Sequence, residues 1–175
     1  MTVPFWFAFG ILVSFAPEIS GSGKNNIVTV ATVALYYSIG VLFGEIFSGA
    51  LSQILRSRKL AIIVFMCISI VLLTILFISP RQYYALLFLP LGLFIAYNVV
   101  VNTTTAEQFG TNLRATASTL APNFVRASAI PITLLFGWLA TIYGAMAGAM
   151  IAGAVCFIGA FISLYFIGRN FCLKT

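Results

Sequence analysis

The sequence predicts an all-α, polytopic membrane protein with six crossings, and three observations carry that expectation. Hydrophobic residues make up 62% of the 175 and charged residues only 7%, more apolar surface than one soluble core can hide. The apolar residues fall into six runs separated by short polar breaks, and a hydrocarbon layer about 30 Å thick takes roughly 20 residues of helix per crossing. The basic residues then sort to one side. With alternating crossings and a cytoplasmic N-terminus, Arg56, Arg58, Lys59, Arg114, Arg169 and Lys174 lie inside, while Lys24 and Arg81 lie outside. That is the positive-inside bias, so the net charge of +6 reads as a topological anchor and not as a nucleic-acid footprint.

The first run, 3–19, is at the lower length limit for a crossing and ends at Pro17, Glu18 and the turn Gly21-Ser22-Gly23. It looks clipped, with no cytoplasmic lead-in, and no cleavable signal sequence is expected there. The second, 27–55, carries Tyr36, Tyr37, Glu45 and the pair Gly40 and Gly44, whose GxxxG spacing lets another helix backbone come close. It ends at the basic cluster Arg56, Arg58 and Lys59. The third, 60–79, is almost purely Ile, Val and Leu and reads as a lipid-facing helix. The fourth, 83–106, holds Pro90, Tyr97 and two asparagines, Asn98 and Asn102, spaced to share one helical face. The fifth, 115–141, contains Pro122, Asn123, Arg126 and Pro131, so a bent helix is expected. The sixth, 144–167, has Gly144, Gly148, Ala152, Gly153 and Gly159, a ladder of small residues suited to close packing.

Catalytic chemistry is not expected. Histidine is absent, which removes Ser-His and Cys-His nucleophiles, imidazole metal sites and a His proton shuttle. The three carboxylates, Glu18, Glu45 and Glu107, fall at three separate places, so no acid/base dyad forms. Cys67, Cys156 and Cys172 have neither disulfide nor metal-ligand spacing. Neither a cofactor nor a metal is implied.

The most informative stretch is 104–131, the longest polar interruption of the chain. Glu107 and Arg114 stand at the ends of two successive helices, where a charge-assisted pair would clip the fourth to the fifth. Such a latch either positions the helices only or breaks and reforms as the protein works. Arg126 lies about 11 residues into the fifth helix, roughly 16 Å deep. An arginine there costs on the order of 2.5–3.5 kcal/mol unless it faces protein or water and has a partner. Glu45, about 14 Å deep, and Asn98 lie at a comparable level. Arg126, Asn98 and Glu45, with Asn102 and Asn123, are therefore the candidate solute or ion contacts; helix bracing is the competing role for each. Trp6, Tyr36 and Tyr37 suit packing or an interface better than a cavity wall.

The run Ala106-Glu107-Gln108-Phe109-Gly110-Thr111-Asn112-Leu113-Arg114-Ala115 resembles the loop between the tenth and eleventh helices of major facilitator superfamily transporters, with a pattern like E-x-F-P-T-x-x-R-[AG]. Glu107, Phe109, Thr111 and Arg114 match, and Gly110 stands where proline is usual. Residues 49–59 are similar to the family's G-x-L-x-D-R-x-G-R-R loop, with Gln53 in place of the aspartate. The resemblance implies the C-terminal six helices of such a transporter, built as a 3+3 inverted repeat in a bacterial inner membrane with both termini cytoplasmic. It also implies alternating-access transport of a small solute, anionic if Arg126 binds it. The missing half would be an N-terminal six-helix unit or a second copy of the chain, with Glu45 meeting Arg126 across a two-fold. The competing expectation is a split or truncated remnant, inactive alone, or a homodimeric membrane interaction protein.

Overall fold

The tightest packing occurs where side chains are smallest. In a computed structural model that describes residues 1–21, 28–55, 57–80, 83–108 and 111–171, helix α3 (Val30–Ile54) buries a single stripe, Val33, Tyr37, Gly40, Gly44 and Ser48. Steps of three and four keep these residues on one helical face. That face lies on α5 (Tyr84–Ile95) with backbones in contact. A Cβ at Gly40 would overlap the Leu89 carbonyl oxygen, one at Gly44 the Leu93 backbone, and one at Gly92 the Tyr37 carbonyl oxygen. The expected close approach at Gly40 and Gly44 is therefore present, and Gly92 supplies its reciprocal on the partner helix.

The other elements are α1 (Val3–Phe7), a π-helical turn (Ala8–Val13), α2 (Ala16–Ile19), α4 (Arg58–Ile78), α6 (Asn98–Gln108), α7 (Thr111–Ala127), α8 (Ala129–Tyr143) and α9 (Ala145–Phe171). Thr29 and Ser57 cap α3 and α4, each accepting a backbone N–H three residues on. Such caps satisfy donors that a helix start leaves open. Gly144, at φ +87°, turns the chain from α8 into α9.

Among the described residues, five helical stretches are long and apolar enough to cross a membrane: Val30–Ile54, Arg58–Ile78, Tyr84–Thr105, Leu113–Tyr143 and Ala145–Phe166. The first run, expected as a sixth crossing, departs from that. Only Val3–Val13 is a continuous apolar helix. Pro17 has no N–H for the Val13 carbonyl, and the helix breaks at Ser14 and Phe15 before α2 restarts. Phe7, Ala8, Ile11, Leu12, Val13 and Ala16 are all buried, so this segment is core, with little of it turned outward.

Two further crossings are interrupted. Pro131 cannot donate to the Ala127 carbonyl, and the fifth crossing breaks there, between α7 and α8, as expected of that proline, whereas α7 continues through Pro122. The fourth breaks at Ala96 and Tyr97, between α5 and α6, where no proline explains it. There Gly44 presses against Leu93 and the Ala96 methyl, and the one proton of Ser48 Oγ is shared between the Glu45 carbonyl at 3.1 Å and the Ala96 carbonyl at 3.4 Å. Close contact and a side-chain donor together hold the interruption open.

The third crossing, α4, turns only one side outward, with Leu60, Val64, Val71, Ile75 and Ile78 exposed. Ala61, Ile62, Phe65, Met66, Ser69, Leu73, Leu76 and Phe77 are buried along one side of it, because an all-apolar helix carries no sequence mark of which side faces protein. In the sixth, the small-residue ladder is used in part. Gly148 lies against Ala140 and Gly153 against the Phe7 ring, while Gly159 meets open space.

Contacts divide the crossings into two groups. The second, third and fourth pack on one another through α3, α4, α5 and α6; the first, fifth and sixth do so through α1, α2, α7, α8 and α9. Contact between α4 and α9, the contacts of the first run with α3 and the α6–α7 connection join the groups.

Candidate functional site

Helix α6 touches both α3 and α7, and the first run reaches α3 through its π-helical turn and α7 through α1. The intramembrane polar residues singled out in the sequence are distributed over these elements: Glu45 on α3, Asn98 and Asn102 on α6, Asn123 and Arg126 on α7. Glu45, Asn123 and Arg126 are exposed, and the two α6 asparagines are half-buried. Because α7 begins at Thr111, Arg126 sits deeper than the sequence estimate. It lies about 20 Å along the helix from Leu113 and about 26 Å from Tyr143, near mid-span.

The partner of Arg126 is aromatic. Its guanidinium carbon stands 4.7 Å from the centroid of the Trp6 ring. Trp6 packs edge-on against Phe5 at 5.5 Å and Phe9 at 6.4 Å, and Tyr37 lies 6.4 and 6.0 Å from those rings. An aromatic band thus runs from Arg126 across the first run to α3. Tyr37 donates to the Phe5 carbonyl at 3.4 Å and Tyr97 to the Met1 carbonyl at 3.1 Å, so two fully buried tyrosines fasten the first run, one to α3 and the other to the break in the fourth crossing. Trp6, Tyr97 and Ser48 were not singled out as site residues from sequence. The Phe5-Trp6-Phe9 spacing was the one available signal, and it does not show which cation the rings meet.

Magnitudes decide what the band does for Arg126. A cation–π contact contributes about 0.5–2 kcal/mol, against roughly 2.5–3.5 kcal/mol for arginine at mid-membrane. The guanidinium has five N–H donors, and among the described residues none is hydrogen-bonded. Trp6 therefore orients Arg126 and leaves its donor edge for an acceptor. Glu45 does not fill that role within the chain, because among the described residues its carboxylate makes neither a hydrogen bond nor an ion pair. None of Glu45, Asn98, Asn102, Asn123 and Arg126 bonds another of the five among those residues.

The latch is a correction. Glu107 pairs with Arg58, whose Nη2 donates to Oε1 at 2.7 Å while Nη1 meets Oε2; Arg114 makes no ion pair among the described residues. Glu107 ends α6 facing α4, which packs on α6, whereas Arg114 lies a turn into α7 and is exposed. The clip thus joins the third crossing to the fourth, and Arg58, expected only as a topology anchor along with Lys59, is half of it. Arg56, Phe109 and Gly110 lie outside the described residues.

Two cavities lie elsewhere. A groove of about 470 Å³ between α4 and α9, lined by Leu73, Thr74, Phe77, Phe157 and Phe161 among others, offers one hydroxyl and suits hydrocarbon. The other, about 450 Å³, opens beside Glu18, Gly21, Tyr143 and Gly144 at the far end of the molecule. Neither includes Arg126, Glu45 or an α6 asparagine.

No family model, curated protein or solved structure matches the chain.

Proposed function

We propose that the chain forms one half of the path of a secondary transporter of the major facilitator type, carrying a small anionic solute by alternating access. The observation that carries this is Arg126, held near mid-span over Trp6 with its hydrogen-bonding edge open, on the helix that carries Asn123 and next in the chain to α6, which carries Asn98 and Asn102. A carboxylate or phosphate would take that edge bidentately. Two features support the reading. Helices broken at mid-depth are a recurring device for solute sites near the bilayer centre, and the fourth and fifth crossings are both broken. A 3+3 inverted repeat exchanges the first crossing with the fourth, the second with the fifth and the third with the sixth. It would turn the group of second, third and fourth into the group of fifth, sixth and first, and the larger packing contacts are in keeping with that, although the first run is shorter than a crossing.

Proteoliposomes holding the purified chain test this with radiolabelled mono- and dicarboxylates and inorganic phosphate, neutral sugars serving as controls. Uptake of an anion that Arg126→Gln abolishes and Arg126→Lys partly restores is the expected result. Uptake indifferent to both variants, or no saturable uptake of any anion, removes the proposal.

A further inference from the structure

We infer that one phospholipid with a primary-amine headgroup binds along α4 and α9, with a chain in the groove between them and its ammonium at Glu18. The site is apart from Arg126 and stands without the transport reading.

Missing side-chain volume makes the groove. On α9 the wall carries Gly153 and Ala154, and Leu73 of α4 lies level with Gly153, its Cδ2 3.8 Å from where a Cβ would be. Leu73, Phe77, Gly153 and Phe157 are buried and form the floor, while Ile78, Ala154 and Ile158 are exposed at the rim. The space of about 470 Å³ therefore opens outward, toward whatever surrounds the crossings.

In a membrane that surrounding is hydrocarbon. The one hydroxyl of the wall, Thr74, already donates to the Val71 carbonyl at 2.7 Å. A polar solute finds no partner there, and neither does water, which needs two or more. The length fits a single leaflet. On α4 the lining runs from Ile70 to Ile78, about the last 12 Å of a helix roughly 30 Å long, against about 15 Å for half of the hydrocarbon layer. A groove left empty forfeits dispersion contacts along its lining, and a lipid chain is the filler present at that depth.

The chain alone does not select a lipid, because a tail is as apolar as the residues it touches. Selection falls to the headgroup end. Met150 lines both the groove and the second cavity, of about 450 Å³, so the two adjoin at that side chain. The second cavity is lined by Glu18, Tyr143 and Gly144, at the level where the fifth crossing ends and the sixth begins. Glu18 is exposed, and its carboxylate makes neither a hydrogen bond nor an ion pair among the described residues. A carboxylate takes an ammonium through charge-assisted hydrogen bonds and repels an anionic headgroup. The net charge of +6 by itself gathers anionic lipids, so general attraction and the Glu18 site predict opposite preferences.

The test places the full chain in nanodiscs of equimolar phosphatidylethanolamine, phosphatidylcholine and phosphatidylglycerol with identical chains, and native mass spectrometry reads which lipid stays bound. Phosphatidylethanolamine should be retained over both others, and over phosphatidylglycerol by about fivefold, the size of one charge contact at a membrane surface. Glu18→Gln removes that preference and keeps lipid bound. Ala154→Phe, which fills the groove from its rim, lowers retention of every lipid, whereas Gly159→Phe on the same helix, where nothing lies within 4 Å, changes neither retention nor preference. In parallel, phosphatidylethanolamine carrying a diazirine midway along one chain labels peptides of residues 70–78 and 150–161 in the unaltered protein. Retention that does not favour phosphatidylethanolamine, or a preference indifferent to Glu18→Gln, overturns the inference, as does label spread evenly over the crossings.

Discussion

Arg58, the first residue of α4, donates from Nη2 to Oε1 of Glu107 at 2.7 Å near the end of α6, and this contact joins the start of the third crossing to the end of the fourth. Both side chains are substantially exposed, 40% and 52%, so the pair contributes at most about 1 kcal/mol after solvent screening. Glu107→Gln and Arg58→Gln should each lower the melting temperature in detergent slightly, with the difference shrinking as salt rises. Arg114→Gln should leave it unchanged, and exchanging the charges at 58 and 107 should recover most of the loss. Thermal melts of the four variants at low and high salt check this.

The glycine contact between α3 and α5 leads to a larger effect. An added methyl at Gly44 or Gly92 strikes backbone and cannot be relieved by a rotamer change, and overpacking of this kind typically costs about 1–3 kcal/mol. Gly44→Ala and Gly92→Ala should lower stability by that order. Gly49→Ala on the same helix, where nothing lies within 4 Å, should be neutral or slightly stabilising, since alanine is the better helix former. Detergent melts of the three variants decide it.

Ser48 is completely buried and reaches the Ala96 carbonyl at the break in the fourth crossing. Removing the hydroxyl leaves that carbonyl with fewer donors in a dry site, a loss of about 1 kcal/mol or somewhat more. Ser48→Ala should also speed hydrogen exchange at the amides of residues 99–101, which follow the break. Exchange mass spectrometry reads this directly; unchanged protection there contradicts the role assigned to Ser48.

Arg126 and Trp6 should be energetically coupled. A double-mutant cycle with Arg126→Met and Trp6→Leu should give an interaction of about 0.5–2 kcal/mol. Replacing Trp6 by phenylalanine should keep part of it, because a smaller ring still presents a π face. Additive effects would place Arg126 away from Trp6.

Much of this architecture was legible in the residues themselves. Apolar runs of crossing length marked the five spans, and Gly40 and Gly44 announced a close helix contact because only absent side chains allow one. Pro131 implied the bend in the fifth crossing, since its nitrogen has no proton to give to Ala127. The sixth expected crossing failed for the same reason: Pro17 acts on Val13 as Pro131 acts on Ala127, and the short run before it is buried on most sides. The unmarked break at Ala96 was not readable, because Gly44 and Ser48, some 50 residues earlier in the chain, create it.

The candidate site divides in the same way. That Arg126, Glu45 and the asparagines lie within hydrocarbon-length segments, and so need partners, is dictated by composition and spacing, for a charge within an apolar run has no low-energy place in lipid. Which partner each one meets was decided by tertiary structure alone. Arg126 found Trp6, 120 positions away, and Glu107 found Arg58 in place of the nearer Arg114. Local sequence sets how deep a side chain lies along its helix, and the packing of one helix on another sets the direction it faces and what it touches there.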